Sequence, residues 1–399
     1  MQYRTYVPIF KKHLQEHKQM LFIEGARQVG KTTIARALGK HIYLSWDHET
    51  SRQLILAGQE QVAELVGFNK IQDTLPLVVF DELHKYSQWK TFLKGFYDLY
   101  ADRVRIVVTG SSKLGIYKKG GDSMMGRYIP YRIHPFSLAE AMSYFPKTQD
   151  IQEPQEPEAD IFDALLNYGG FPDPFLKRST PFWNQWVKIR QTQLFKEDIR
   201  ELTQIQELSQ MEMLGIMLKE QTGQLLNRSS LAKKIKVSAP SIARWLDVFG
   251  AFFYSFRIQP WHKNVVRSLV KEPKCYLWDW SQVIDSGARF ENFIASHLLK
   301  FVHYWTDQGY GDYGLYFLRD KQQREVDFLV VKDQKPWFLV EAKVSANHSV
   351  STNLQYFQKQ LECKHAFQVI QNMDYVHRNC FNETGPIMVP ARTFLSQLI

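Results

Sequence analysis

The chain has 399 residues, of which 44% are hydrophobic and 23% charged. This composition is typical of globular domains and excludes a mostly disordered or fibrous chain, and the length predicts about two to four domains. Lys and Arg number 50 against 41 Asp and Glu, and the formal net charge of +9 favours an anionic partner such as nucleic acid.

Cysteine usage and apolar runs indicate the compartment. Cys275, Cys363 and Cys380 are far apart and form no CxxC pair, which argues against a disulfide scaffold or a cysteine-rich zinc site and fits a reducing compartment. The first 18 residues lack the apolar core of a signal peptide, and no apolar run approaches the roughly 20 residues of a membrane helix. We therefore expect a soluble, cytoplasmic protein without a membrane partner.

The segment MLFIEGARQVGKTTIARALGKHI predicts a strand, a glycine-rich turn and an amphipathic helix. Gly25, Gly30, Lys31 and Thr32 fit the spacing GxxxxGK[ST], in which backbone N–H groups surround phosphates at the start of a helix. Lys31 is expected to reach the outer phosphates and the Thr32 hydroxyl to bind Mg²⁺. We count the adjacent Thr33 among the nucleotide-binding residues.

The segment LPLVVFDELHK predicts a buried parallel strand over residues 77–80 that ends at Asp81 and Glu82. Asp81 is expected to hold Mg²⁺, and Glu82 to polarise the water that attacks the γ-phosphate. Further strands are predicted over residues 41–46 and 105–109. Ser111 and Ser112 follow the latter, where they either sense the γ-phosphate or form an ordinary turn. The alternation of strands and helices predicts a parallel α/β sheet.

These motifs, with VVTGSSK and MMGRYIPYRIHPFSLAE, resemble AAA-type P-loop ATPases of the AAA_14 kind. They are more narrowly similar to the prokaryotic group that joins such a domain to a C-terminal DUF4143 region. The resemblance implies an ATPase domain over residues 1–146 that binds ATP and Mg²⁺. It also suggests that Arg127 acts on nucleotide, in trans within a homo-oligomer, with Arg132 as the alternative and a plain surface charge as a third reading.

The middle of the chain changes composition twice. Residues 147–160 are rich in Gln, Glu and Pro, which predicts a linker or an exposed insertion. Residues 161–274 are predicted to be a helical region that contains a winged helix. Its helix-turn-helix is predicted over residues 229–249, with Ser238 as an N-cap and Pro240 in the first turn, and the strand-like residues 252–259 are a candidate wing.

The winged-helix segment is strongly basic. Residues 219–274 contain 11 Lys and Arg against three Asp and Glu, a net +8 of the +9 in the whole chain. A basic segment of this pattern is typical of nucleic-acid binding, although a basic face that is merely solvated or docks on acidic protein surfaces is equally compatible. The candidate DNA-binding residues are Lys233, Lys234, Lys236 and Arg244.

The C-terminal region, residues 275–399, contains a carboxylate–lysine pattern. A helix over residues 289–301 includes Glu291 beside its apolar face, and the segment REVDFLVVKDQKPWFLVEAK predicts two strands joined by a polar turn. If the strands pair around this turn, Asp327 lies level with Glu341 and Lys343, which share one side of their strand. Such carboxylates suit Mg²⁺ or Mn²⁺, and Lys343 would act on water or phosphate.

This arrangement resembles the PD-(D/E)xK nuclease superfamily, although Val326 replaces the proline before Asp327. The resemblance implies a restriction-endonuclease-like α/β fold, with Glu291, Asp327 and Glu341 as metal ligands and Lys343 as catalytic residue. An active nuclease and a module that binds DNA or protein without cutting both remain open.

The leading hypothesis is an ATPase that acts on DNA, with a winged helix for DNA contact and a nuclease-like domain that binds or cleaves DNA, including branched DNA. The alternative is a nucleotide-gated switch that binds a protein partner and has no nuclease activity. A histidine-based metal enzyme has little support, because the 12 histidines form no HExxH pattern.

Overall fold

The computed structural model describes residues 4–67, 74–111, 124–143, 150–200, 207–262, 272–346 and 349–399. The chain divides into two compact units, residues 1–134 and residues 135–399. Within these described ranges, no helix combines the length and apolar character that crossing a bilayer requires.

The first unit is an α/β unit built on a parallel sheet. Its helices are α1 (Tyr6–Glu16), α2 (Lys31–Arg36), α3 (Glu49–Ala57), α4 (Gln59–Val66) and α5 (Trp89–Tyr100), with a short 3₁₀ turn at Leu83–Lys85. Its strands are β1 (Met20–Gly25), β2 (Ile42–Ser45), β3 (Leu77–Asp81), β4 (Arg105–Gly110) and β5 (Tyr128–Ile133).

The five strands follow the order β2-β3-β4-β1-β5, and every neighbouring pair is parallel. Strand β3 is buried along its whole length, which explains its continuous apolar sequence. Parallel strands place their carboxyl ends at one edge of a sheet, so the residues after β1, β3 and β4 meet there. The parallel sheet predicted from the sequence is confirmed.

The second unit begins with helices and continues into a large sheet. Its helices are α6 (Leu138–Ala141), α7 (Ala159–Tyr168), α8 (Pro172–Lys177), α9 (Thr180–Gln193), α10 (Leu208–Glu220), α11 (Arg228–Ile235), α12 (Ala239–Ala251), α13 (Ser286–Asp307), α14 (Thr352–Leu361) and α15 (Ala391–Ser396). A π-helical turn, Leu194–Ile199, continues α9, and 3₁₀ turns lie at Trp280–Gln282 and Cys380–Asn382.

The strands of the second unit are β6 (Ser255–Pro260), β7 (Lys274–Leu277), β8 (Tyr313–Arg319), β9 (Glu325–Lys332), β10 (Lys335–Lys343), β11 (His365–Ile370) and β12 (Pro386–Pro390). They form one sheet in the order β12-β11-β10-β9-β8-β6-β7. Strands β8, β9 and β10 are antiparallel neighbours, whereas β11 runs parallel to β10. The predicted pairing of β9 and β10 around a tight turn is confirmed.

The structure divides the chain at other points than the sequence suggests. The predicted boundary after residue 274 falls inside β7, which pairs with β6, and β6 in turn pairs with β8. The helical region and the C-terminal region therefore share one sheet. Residues 150–158 are also not a fully exposed linker, because Gln152 is buried and its backbone N–H donates to the carbonyl of Gln397 at 2.8 Å.

Candidate functional site

The phosphate loop connects β1 to α2, as the sequence predicts. Gly25 lies so close to β5 that a Cβ atom on it would approach the Ile133 carbonyl oxygen to 2.7 Å. Gly30 has φ 100° and precedes α2 in a left-handed conformation, which glycine adopts without steric cost. The first helical hydrogen bond of α2 runs from Ile34 N to Gly30 O, so the backbone amides of the preceding loop residues lie at the helix start.

Lys31 is held by the loop itself. Its side chain is buried, and Nζ donates to the carbonyl oxygens of Gly25 and Ala26, each at 2.9 Å. These two carbonyls hold the ammonium group at the loop, where a bound phosphate would compete for it. Thr32 is half-buried and Thr33 is exposed at the start of α2.

Asp81 lies at the carboxyl end of β3, and two hydroxyl groups hold its carboxylate. Thr109 Oγ1 donates to Oδ1, and the Tyr43 hydroxyl donates to Oδ2 at 2.5 Å. Burial raises the pKa of Asp81, while these two donors lower it. Tyr43 also hydrogen-bonds the Thr32 side chain. The two residues predicted to bind Mg²⁺ are therefore adjacent, and their hydroxyl and carboxylate oxygens are the donors that this hard cation prefers.

Glu82 turns the chain away from β3 in a left-handed conformation with φ 55°, which is uncommon for a residue other than glycine. Ser111 Oγ donates to its Oε2 at 2.9 Å. Nε2 of the buried His84 lies 3.7 Å from the same oxygen, and burial lowers the pKa of this histidine. Ser111 thus positions Glu82, a role the sequence did not suggest, and Ser112 lies outside the described residues.

Arg127 lies away from the phosphate loop of its own chain. Its carbonyl accepts from Met20 N at the start of β1, whereas the phosphate loop begins at Gly25, the last residue of β1. At 3.3 Å per strand residue, these two ends of β1 are about 17 Å apart. The Arg127 guanidinium pairs with Asp98 at 2.7 Å. Action of Arg127 on the nucleotide of a neighbouring subunit therefore stays a prediction. Arg132 pairs in register with Glu24, near the loop end of β1.

The predicted DNA-binding residues lie on α11, on α12 and in the turn between these helices. Asn227 caps α11, and Ser238 caps α12 by accepting from Ser241 N at 3.1 Å, as predicted. Strands β6 and β7 follow as an antiparallel pair, and residue Leu225 bridges to Lys274. The four candidate side chains, Lys233, Lys234, Lys236 and Arg244, are all exposed.

The C-terminal carboxylates occupy the predicted strands. Val340 pairs with Phe328, so Asp327 lies level with Glu341, and Ala342 N donates to Asp327 Oδ2 at 3.0 Å. Lys343 Nζ pairs with Glu341 Oε1 at 2.8 Å, which confirms that both lie on one side of β10.

Each of the predicted metal ligands Glu291, Asp327 and Glu341 lies beside a lysine. Nζ of Lys274 lies 3.2 Å from Glu291 and 3.5 Å from Asp327, and Glu341 pairs with Lys343 instead. Among the residues that the structure describes, no group of three or more His, Cys, Asp and Glu side chains is arranged to hold a metal. Lys274 could not be predicted as part of this cluster, because a lysine at the start of a short strand carries no pattern that links it to carboxylates 17 and 53 residues away.

Three segments of the chain match known families. Residues 17–142 match the family described as AAA domain. Residues 159–283 match DUF8612 and residues 286–389 match DUF4143, which are both domains of unknown function. The chain is 22% identical over 352 residues to the uncharacterized proteins Rv2008c of Mycobacterium tuberculosis and Mb2031c of Mycobacterium bovis. Each alignment covers 84% of this chain and 73% of the relative.

Similar solved structures include AMPPCP-bound DnaA from Aquifex aeolicus, with a TM-score of 0.32 and 12% identity over 61% of this chain and 86% of that one. Another is Drosophila ORC bound to AT-rich DNA and Cdc6, with a TM-score of 0.24 and 9% identity over 73% of this chain and 90% of that one. At such scores, no property of this chain is inferred from them.

The class of the first unit follows from its own geometry and its family match. It has a phosphate loop between β1 and α2, an acidic pair after β3 and a parallel sheet, and residues 17–142 match the AAA domain. This part of the chain has the sheet and the phosphate loop of a P-loop nucleotide-binding domain and is similar to the AAA domain.

Proposed function

We propose that this protein binds and hydrolyses ATP and contacts DNA through a basic face, which comprises Lys233, Lys234, Lys236 and Arg244. The ATPase half of the proposal rests on the phosphate loop and the acidic strand end. The DNA half rests on the exposure of all four basic side chains on α11, α12 and the turn between them.

In the nucleotide site, Lys31 would exchange its two loop carbonyls for phosphate oxygens. Thr32 and Asp81 would hold Mg²⁺, which neutralises negative charge that develops on the phosphates. Glu82, whose carboxylate accepts from Ser111 at 2.9 Å, would polarise the attacking water.

The DNA half of the proposal depends on a winged helix. Three helices, α10 to α12, precede the antiparallel pair β6 and β7, and the bridge from Leu225 to Lys274 adds a third strand position. These helices and β7 contribute to one hydrophobic core, which contains Trp245 and Leu246 of α12. Arg244 of the same helix is exposed. A helix-turn-helix presents the N-terminal part of its second helix to DNA, and Arg244 lies there.

The C-terminal part of the second unit supports a related proposal. Its order is the long helix α13, three antiparallel strands, helix α14 and the parallel strand β11. This order favours a core of the PD-(D/E)xK superfamily. We propose that the region binds DNA or protein.

The experiment measures binding of the full chain to a fluorescent duplex by anisotropy, from about 50 to 200 mM salt. Each phosphate contact contributes about −0.9 to the slope of log affinity against log salt. Lys233→Ala/Lys234→Ala is expected to make this slope shallower by about 2, because it removes two contacts.

The matched control is Lys188→Ala/Lys196→Ala, which removes two exposed lysines of the same unit that lie outside both the basic face and the C-terminal region. It is expected to leave the slope unchanged. Equal weakening by both double variants would contradict the basic face as the contact surface. Absence of duplex binding even at low salt would refute the DNA half and favour a nucleotide-gated switch with a protein partner.

A further inference from the structure

Lys274 reaches into the carboxylate cluster of the C-terminal region. It is the first residue of β7, only 3% exposed, and its backbone is fixed by register with Ile258 on β6. Its Nζ atom lies 2.7 Å from Glu325, 3.2 Å from Glu291 and 3.5 Å from Asp327. An ammonium group has three N–H donors, one for each of the three carboxylates, and its charge is opposite to theirs.

Other donors hold the same carboxylates from the outside. The Tyr276 hydroxyl donates to Glu291 Oε1 at 2.7 Å, and Arg319 donates to Glu325 at 2.6 Å. The backbone N–H of Ala342 donates to Oδ2 of Asp327, the oxygen that does not face Lys274. These contacts hold the carboxylates around the ammonium group of Lys274.

This arrangement does not fit a divalent metal. Mg²⁺ requires oxygen ligands at about 2.0–2.1 Å in octahedral geometry, and the Lys274 ammonium occupies the space between the carboxylates that would supply them. Its positive charge also repels an incoming cation, because both would lie in a site with little solvent to screen them. The third predicted metal ligand, Glu341, is paired with Lys343 at 2.8 Å.

We infer that the ammonium group of Lys274 is the resident cation of the cluster formed by Glu291, Glu325 and Asp327. The C-terminal region accordingly binds neither Mg²⁺ nor Mn²⁺ at this cluster and does not cut DNA by metal-dependent hydrolysis. A lysine from β7 thus fills a metal position in a nuclease-like core.

The test measures Mn²⁺ binding to nucleotide-free full-length protein by calorimetric titration and by thermal unfolding in MnCl₂. All proteins in the test contain Asp81→Asn, which removes the carboxylate that is predicted to hold Mg²⁺ in the nucleotide site. Lys274→Met is expected to gain about one Mn²⁺ per chain, and its melting temperature is expected to rise with MnCl₂. The parent and the control Lys343→Met are expected to show neither effect.

Two results would overturn the inference. The first is Mn²⁺ binding by the parent that Asp327→Asn abolishes, since the cluster would then hold a metal beside Lys274. The second is a melting temperature of Lys274→Met that responds to MnCl₂ no more than that of the parent. The comparison of the parent with Asp327→Asn does not need the Lys274 variant, so it decides the question even if that variant fails to fold.

Discussion

The ion pair between Glu140 and Lys300 joins α6 to α13 inside the second unit. Glu140 is 0% and Lys300 1% exposed. The Lys300 ammonium donates to the Glu140 carboxylate, to the Pro135 carbonyl at 3.1 Å and to Ser137 Oγ at 3.0 Å. All three of its N–H groups therefore have acceptors. We predict that Lys300→Met strongly destabilises this unit.

The magnitude follows from burial. Removal of one partner from a buried ion pair leaves an uncompensated charge and costs about 3–5 kcal/mol. That loss is a large part of the roughly 5–15 kcal/mol by which a domain is stable. The double variant Lys300→Met/Glu140→Gln is expected to be about 2 kcal/mol more stable than Lys300→Met, because an uncharged amide costs only about 1–3 kcal/mol to bury without a partner.

The assay is equilibrium unfolding in urea, followed by tryptophan fluorescence, since Trp280 and Trp305 are buried in the same unit. The control is Lys332→Met, whose lysine pairs with Asp150 near the surface and is expected to cost less than about 1 kcal/mol. A loss for Lys300→Met no larger than that of the control would refute the reasoning. So would a double variant that is less stable than the single variant.

Three further variants test the nucleotide site and the pH response. Lys31→Ala is expected to weaken ATP binding about 10- to 100-fold, at about 1.5–3 kcal/mol for charged hydrogen bonds, whereas the exposed Lys40→Ala is neutral; equal calorimetric affinities would contradict the role of Lys31. Asp81→Asn is expected to abolish ATP hydrolysis but to raise the melting temperature of nucleotide-free protein near pH 8. Burial raises the pKa of Asp81 in the folded state, so the parent loses stability as the pH rises through that pKa. The melting temperatures of Asp81→Asn and the parent are therefore expected to differ most at high pH, and a difference that grew as the pH fell would contradict this reasoning. Burial lowers the pKa of His297 from 6.5 to about 3, so the parent should lose stability as pH falls below about 6.5. His297→Gln is expected to flatten this loss in urea titrations at about pH 7.5 and 5.5, and an unchanged pH dependence would count against it.

The spacing of residues in the sequence was sufficient to predict those parts of the sites whose residues lie close together along the chain. The phosphate loop spans few residues, and its glycines, lysine and hydroxyls are adjacent in sequence, so their placement between β1 and α2 follows from local backbone geometry. The hairpin of β9 and β10 is equally local. Alternation along each strand, with a tight turn between them, was enough to predict that Asp327 lies level with Glu341.

Tertiary structure decided which side chains surround these residues. Tyr43 reaches Asp81 only because β2 lies beside β3, and Lys274 reaches Asp327 only because β6 joins β7 to the sheet beside β8. The sequence by itself thus determined the phosphate loop and the carboxylate strands, since local periodicity governs both. Only the tertiary structure determined that a lysine lies among the C-terminal carboxylates, because strand pairing between distant segments leaves no local pattern in the sequence.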